Sequence, residues 1–373
     1  MIELTRYQNA KRYAPDRVSP PGETLAEILE MRKMSQAELA ERTGRPKKTI
    51  NEIVKGKAAI TPETALQLEL VLGTPAGFWI GREQHYREAL ARQEERKSLA
   101  THADWLREIP YRAMVAIGWV RERAEKPEQV AELLMFFGVA SPRTWSELWE
   151  GTQTAFRQSS TFKSDPGALA AWLRKGEIEA QKIERAEYDP VRFKNALQRV
   201  RRLTRTLPRN LPDVLTEECG RAGVCIVFVP ELPGTRAWGA TRWLTQTTAL
   251  IQLSLRYKTD DHLWFTFFHE AAHILLHGKK DVFLEGDDRG KDEKEKEADS
   301  FAREYLIPEK EYRTFRRLGA RSCAAVSRFA YQIDIAPGIV VGCLQHDGVL
   351  EHTDCNHLKK PVDWIFAARK ETS

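Results

Sequence analysis

Residues 265–278 read FTFFHEAAHILLHG, and this stretch restricts the fold more than any other feature of the chain. Residues four apart on a helix share a face, so His269 and His273 point the same way and can grip one metal ion. Glu270 is turned about 100° from His269, which puts it beside such an ion, where a general base belongs. Trp264, Phe265, Phe267, Phe268, Ile274, Leu275 and Leu276 surround the polar triplet, so the helix is expected to be buried. His277 lies a further turn along, too far to share the ion, and Gly278 marks a helix end. A helix-terminal or supporting role is expected for it.

Hydrolytic zinc needs three protein ligands and one open position. The run EKEKEADSFAREYLIP, residues 293–308, supplies a second helix with apolar positions Ala298, Phe301, Ala302, Tyr305 and Leu306, ended by Pro308. Continued backwards, that stripe brings Glu295 onto the buried face and leaves Glu297 about 200° away. Glu295 is therefore the expected third ligand and Glu297 the alternative. Asp299, four residues after Glu295, leans the same way and suits the remaining ring N–H of a ligand histidine. The competing reading is a solvated charge run, with Glu293, Glu295 and Glu297 alternating with Lys291, Lys294 and Lys296.

A helix carrying H-E-x-x-H followed by one carrying E-x-x-A-D resembles the gluzincin metallopeptidases. More narrowly, HEAAHILLH with EKEADSFAREYLIP is similar to the ImmA/IrrE family, over roughly residues 155–350. That resemblance implies a cytoplasmic zinc peptidase acting on a partner repressor, with His269, His273 and Glu295 as ligands and Glu270 as base. The family often has Asn at the position of Asp299. Tyr257, His262 and Tyr331 are candidates for stabilising the oxyanion, and the sequence does not choose among them.

Residues 22–94 read as short helices. Leu25, Ile28, Leu29 and Met31 keep a helical period. Ser35 is placed to cap SQAELAERTG, with Glu38 completing a capping box, and Gly44 makes the turn before PKKTINEIVKG. TPETALQLELVLGTP follows with a cap, an early proline and a terminating glycine. Two short helices joined by a glycine turn give the helix-turn-helix arrangement, whose second helix enters the major groove. Arg42, Arg45, Lys47, Lys48, Lys55 and Lys57 face only Glu52 between residues 42 and 57, a local net of +5 in a chain whose total is +5. The positive excess is thus concentrated where phosphates would be neutralised. Lys47, Lys48, Asn51 and Glu52 are the candidate base readers, and Gln36 a phosphate contact. Residues 18–90 resemble the HigA-type antitoxins of the lambda-repressor-like class. This likeness implies a homodimer on a double-stranded DNA operator, and often a toxin as partner.

Between these parts, residues 101–150 form a packet rich in Trp and Phe that reads as core. Arg199, Arg201, Arg202, Arg205 and Arg209 read as a solvated helix end. GVCIVFVP and TTALIQLSL read as strands, the latter as the edge strand to which a peptide substrate could add. Five cysteines without a C-x-x-C pair fit a reducing cytoplasm. No apolar run approaches the roughly 20 residues of a membrane span, and the first residues lack a signal peptide's apolar core.

The expected fold is mainly α with a small α+β part. An N-terminal lambda-repressor-like five-helix helix-turn-helix domain (18–95) precedes a helical connector (96–206). A C-terminal zincin-like α+β metallopeptidase domain (207–350) and a tail (351–373) follow. The resemblances imply a DNA-binding, antitoxin-like transcriptional regulator that carries a zinc-dependent endopeptidase. Its protein substrate would be a repressor, toxin or other regulator. The alternative is a non-catalytic antitoxin or repressor whose zinc fold only binds a partner or senses a signal.

Overall fold

The computed structural model describes residues 19–156, 164–279, 283–286, 293–319 and 322–362. They fall into two compact units that part between Ala103 and Asp104.

The first unit holds helices α1 (Pro21–Met31), α2 (Gln36–Thr43), α3 (Lys47–Val54), α4 (Pro62–Leu72) and α5 (Ala76–Thr101). Their ends follow from local chemistry. Ser35 Oγ accepts from the Glu38 N–H at 3.1 Å, and Gly44, at φ +65°, closes α2. The expected capping box is only half formed, because the Glu38 carboxylate turns to Arg42, 2.7 Å away. Thr61 caps α4, Pro62 opens it, and Gly73 ends it. Leu25, Leu29, Leu39, Ile50, Ile53, Leu68, Leu72 and Trp79 form one buried core. Gly22 lets α1 touch the end of α3, since a Cβ there would overlap the backbone of Ile53 and Val54.

The second unit begins with α6 (Tyr111–Ala116), α7 (Lys126–Phe137) and α8 (Pro142–Phe156). Trp105, Phe137 and Trp145 meet there in edge-on and tilted ring contacts at centroid separations of 5.5–6.2 Å, a buried aromatic packet. Next come α9 (Pro166–Ala180), α10 (Pro190–Thr206), α11 (Leu211–Gly220), β1 (Val224–Phe228), β2 (Ala237–Thr245) and β3 (Thr248–Leu253). The remainder is α12 (Asp260–Leu276), β4 (Phe283–Gly286), α13 (Glu293–Leu306), α14 (Glu309–Arg317), α15 (Cys323–Gln332) and α16 (Pro337–His346).

The four strands form a sheet in the order β1-β3-β2-β4, with β1 and β3 parallel and the other pairs antiparallel. β3 is therefore central and wholly buried, so TTALIQLSL is not the edge strand expected above. All its positions are buried, as in a strand covered on both sides, and its polar Gln252 is bonded to the Trp172 carbonyl. The edge nearest the metal-type helix is β4.

Two helices of the expected connector also belong to this core. Phe193, Leu197 and Val200 of α10 are buried with the sheet and α12. On α9, Trp172 Nε1 donates to the Val229 carbonyl at 2.9 Å, and its own carbonyl accepts from Gln252 Nε2 at 2.7 Å. Three arginines of α10, Arg199, Arg201 and Arg205, bind within the unit. Arg201 donates to the carbonyls of Tyr305, Leu306 and Ile333 at 2.8–2.9 Å, which satisfies the ends of α13 and α15. Arg199 pairs with Glu218 at 2.6 Å. Cys323 and Cys355 form a disulfide across 32 residues, while Cys219, Cys225 and Cys343 are free. That pairing was not expected from the spacing. Among the described residues no helix is long and apolar enough to cross a membrane.

The start of α12 is seated on α16 through two acids and two glycines. A Cβ at Gly338 would overlap Asp260 Oδ1, and one at Gly342 would crowd Asp261 Oδ2. Asp260 is fully buried; its Oδ1 accepts from the Lys360 and Asp261 N–H groups at 2.9 and 3.0 Å. Burial pushes this carboxyl up to about 6, against the pull of the Lys360 N–H. An unfolded aspartate titrates near 3.9, so the unfolded chain loses its proton first and stability falls as pH rises from about 4 to about 6. Asp260→Asn keeps Oδ1 and removes this loss. Calorimetry should show the variant gaining about 1–3 kcal/mol over wild type between about pH 4 and pH 7. An equal difference at both ends would contradict the assignment.

Candidate metal centre

α12 is apolar on nearly every side because it packs against the sheet, α13 and α16 at once. Its polar face meets the first turns of α13. His269 Nε2 and His273 Nε2 lie 3.0 Å apart. Glu295 Oε2 is 3.1 Å from the first, and Glu295 Oε1 is 3.6 Å from the second. Three donors about 2.0–2.1 Å from one tetrahedral ion would stand about 3.3 Å from each other, so the spacing suits a single divalent cation. Both histidines are buried, and Glu295 is 13% exposed. Among the described residues this is a group of His and Glu able to hold one ion.

Neighbouring side chains orient these donors. Asp299 Oδ1 is 2.9 Å from His269 Nδ1 and fixes which nitrogen faces the centre. His273 Nδ1 is 2.9 Å from His277 Nδ1, and His277 Nε2 is 3.1 Å from Glu297. Glu297, the alternative ligand, thus reaches His277, which stands just beyond the last turn of α12. The His273 ring also stacks on Phe283 of β4, 3.8 Å between centroids.

Glu270 is fully buried, and among the described residues neither carboxylate oxygen has a hydrogen-bond partner. Its backbone carbonyl accepts from Thr241 Oγ1 of β2 at 3.0 Å. Gly239 of the same strand makes room for it, since a Cβ there would overlap Glu270 Oε1 and Thr266 Cγ2. A buried carboxylate without a donor is costly, and a cation with its water is the partner that would relieve it. The donor set fits zinc: two imidazoles and one carboxylate, with a second acid standing beside them.

The electrostatics fit this division of labour at His273, Glu295 and Glu270, while His269 must give up a proton to take an ion. Burial holds the His273 imidazole down at about 4, so it is neutral and able to ligate. Burial raises Glu295, but the hydrogen bonds from His269 and His273 outweigh it and hold that carboxyl at about 2. Glu270 is pushed well up, first by burial, with the charge of Glu285 adding to it. Burial opposes charge on His269, yet Glu285, Asp299 and Glu295 together raise it well above its usual value.

Glu285 is the acid that sequence reasoning did not find. It sits on β4, paired in register with Gly239, and is 3% exposed. A single acid in a short strand flanked by polar residues carries no periodic signal. Of the three oxyanion candidates, Tyr331 is largely exposed under the Arg205 guanidinium. Tyr257 and His262 instead stack on each other, 4.3 Å between centroids. His262 lies two turns before His269 on the same helical face.

Residues 229–328 match the model of the IrrE N-terminal-like domain, and residues 25–79 match the helix-turn-helix model. The chain joins a helix-turn-helix domain to an IrrE N-terminal-like domain. Among solved structures, an addiction module antidote protein of a HigA family from Coxiella burnetii is 34% identical. The match covers 23% of this chain and 94% of that one, with a TM-score of 0.22. The Pseudomonas aeruginosa antitoxin HigA, solved with the higBA promoter, is 31% identical over 22% of this chain and 90% of that one, TM-score 0.21. A further Pseudomonas aeruginosa protein, in complex with its operator DNA, is 33% identical over 20% and 82%, TM-score 0.20. No curated protein matches the chain.

In the helix-turn-helix domain, Lys47 and Lys48 open α3 and are exposed. Asn51 and Glu52 follow one turn later, half-buried, with Glu52 3.9 Å from Lys48. Gln36 is the first residue of α2 and also half-buried. Arg42 and Arg45 are engaged by Glu38 and Gln67, which leaves the two lysines as the extended basic groups at the helix start.

Metal analysis of the purified chain should find about one zinc per molecule. Glu295→Ala should abolish tight retention, Asp299→Ala should weaken it about 10–100-fold, and Glu297→Ala should leave it unchanged. Loss with Glu297→Ala but not with Glu295→Ala would reverse the assignment.

Proposed function

We propose that the protein is a DNA-binding regulator carrying a zinc-dependent endopeptidase that cleaves a partner regulatory protein. The observation that carries this reading is the convergence of His269, His273 and Glu295 beside the buried, unpartnered carboxylate of Glu270. A purely structural histidine cluster has no need of a second acid kept without donors. When bound, zinc supplies Lewis acidity, making water a stronger acid and polarising a carbonyl.

The chain's own residues do the rest. His269, His273 and Glu295 hold the ion, with His269 oriented by Asp299. Glu270 takes the proton of the attacking water and later delivers it to the departing amine. Tyr257 and His262 are the remaining candidates for the oxyanion. β4, at the sheet edge, is where an extended peptide would add as a further strand.

For the helix-turn-helix domain, we read α3 as the helix that enters the major groove of a double-stranded operator. Lys47, Lys48, Asn51 and Glu52 would face the bases, and Gln36 a phosphate. Leu66 and Leu70 of α4 lie 56% and 85% exposed, one turn apart. A pair of apolar residues so placed supports a homodimer on a two-fold operator. Operator binding would put the protein in the cytoplasm.

Two experiments test this. Glu270→Gln should retain zinc yet lose cleavage of the proteins encoded beside it by at least about a thousandfold; cleavage at wild-type rate would remove Glu270 from the mechanism. Retained zinc with no cleavage of any neighbour by the wild type would favour the non-catalytic reading. Lys47→Ala with Lys48→Ala should weaken binding to the operator about tenfold or more while changing binding to an unrelated duplex less, so that discrimination between the two falls, measured by fluorescence anisotropy. Unchanged discrimination would move the base contact elsewhere.

A further inference from the structure

Between α12, α13 and α16 lies a cavity of about 380 Å³, a size within the range of ligand pockets. It adjoins the metal centre. Its wall includes Asp299, bonded to His269, and Phe265, whose ring centroid is 6.3 Å from that of His269. Thr266, also in the wall, shares with Glu270 the space that Gly239 leaves open. Leu306, Ile307 and Ile339, all buried, supply its apolar side, while Gln345, His346 and Lys359 complete the wall.

The charged groups around the cavity are each neutralised within the protein. Lys359 Nζ is 2.7 Å from Asp261 Oδ2. Arg303 holds Asp347 through two bonds of 2.9 and 2.6 Å. Asp299 is held on His269. A charged group entering the cavity would lose water and gain no counter-ion unless it broke one of these pairs. A branched aliphatic or aromatic group would lose only unfavourable contact with water.

Resting on the peptidase reading above, we propose that this cavity is the specificity pocket of the metal centre, accepting a bulky uncharged apolar side chain next to the bond that is cut. The segment 351–359 closes one side of it. Gln345 Nε2 donates to the carbonyls of Glu351, His352 and Asp354, and Cys355 is bonded to Cys323, so the pocket has a fixed rather than an adaptable outline.

Short hydroxamates test this on the zinc-loaded full chain by calorimetric titration, without any cleavage assay. Acetohydroxamate, which has no side chain, reads the metal alone. Succinyl hydroxamates bearing isobutyl, benzyl, carboxymethyl or aminobutyl groups read the pocket. The isobutyl and benzyl compounds should bind at least about tenfold more tightly than the two charged ones. Ser300→Trp, which places a large side chain at an exposed position on the rim, should remove that preference while acetohydroxamate still binds. Equal affinity across the series for the wild-type chain overturns the pocket and leaves the metal reading standing, whatever the variant does. Failure of acetohydroxamate itself to bind zinc-loaded protein overturns the peptidase reading and the pocket with it.

Discussion

The contact between α12 and α13 is the constraint on which the site depends. Two imidazoles, a carboxylate and a further buried acid are brought into a region otherwise filled by Phe267, Phe268, Ala271, Ala302 and Leu306. Such polar groups are tolerated in an apolar interior only when they satisfy one another or a shared cation. The surrounding structure supports that contact from several sides. β2 offers a glycine to the Glu270 side chain and a hydroxyl to the Glu270 carbonyl. α10 sends Arg201 to the end of α13, and α16 offers two glycines to the acids at the start of α12.

What the sequence made legible was whatever depends on helical phase. His269, His273 and Glu270 follow from a four-residue spacing in an apolar run. Glu295 follows from the stripe Ala298, Phe301, Ala302 and Tyr305, and the structure brings it to the two rings while Glu297 goes to His277. The helix ends at Gly44 and Gly73 were equally readable, because a left-handed residue there has a local cause. The HigA-like and IrrE-like resemblances rested on the same local strings, and both domains are matched by family models.

What stayed hidden depends on contacts between segments distant in sequence. The order of the strands put β3 in the middle, although its composition alone suits an edge or a centre equally well. Glu285 gains its importance only because β4 pairs with β2 opposite Gly239. Arg201 looks like one of several basic residues on an exposed helix end, yet it binds three carbonyls more than a hundred residues away. The Cys323–Cys355 bond likewise joins positions with no motif between them. α10 falls within the expected connector, but its buried stripe of Phe193, Leu197 and Val200 packs with the sheet and α12.

The central claim is that one divalent ion is shared by two imidazoles and one carboxylate. X-ray absorption at the zinc edge, on the zinc-loaded full-length chain, tests it most directly. The account predicts a four-coordinate shell of nitrogen and oxygen at about 2.0–2.1 Å, with the multiple-scattering signature of two histidine rings. A shell containing sulfur at about 2.3 Å, or one showing no imidazole scattering, would place the ion elsewhere and contradict it.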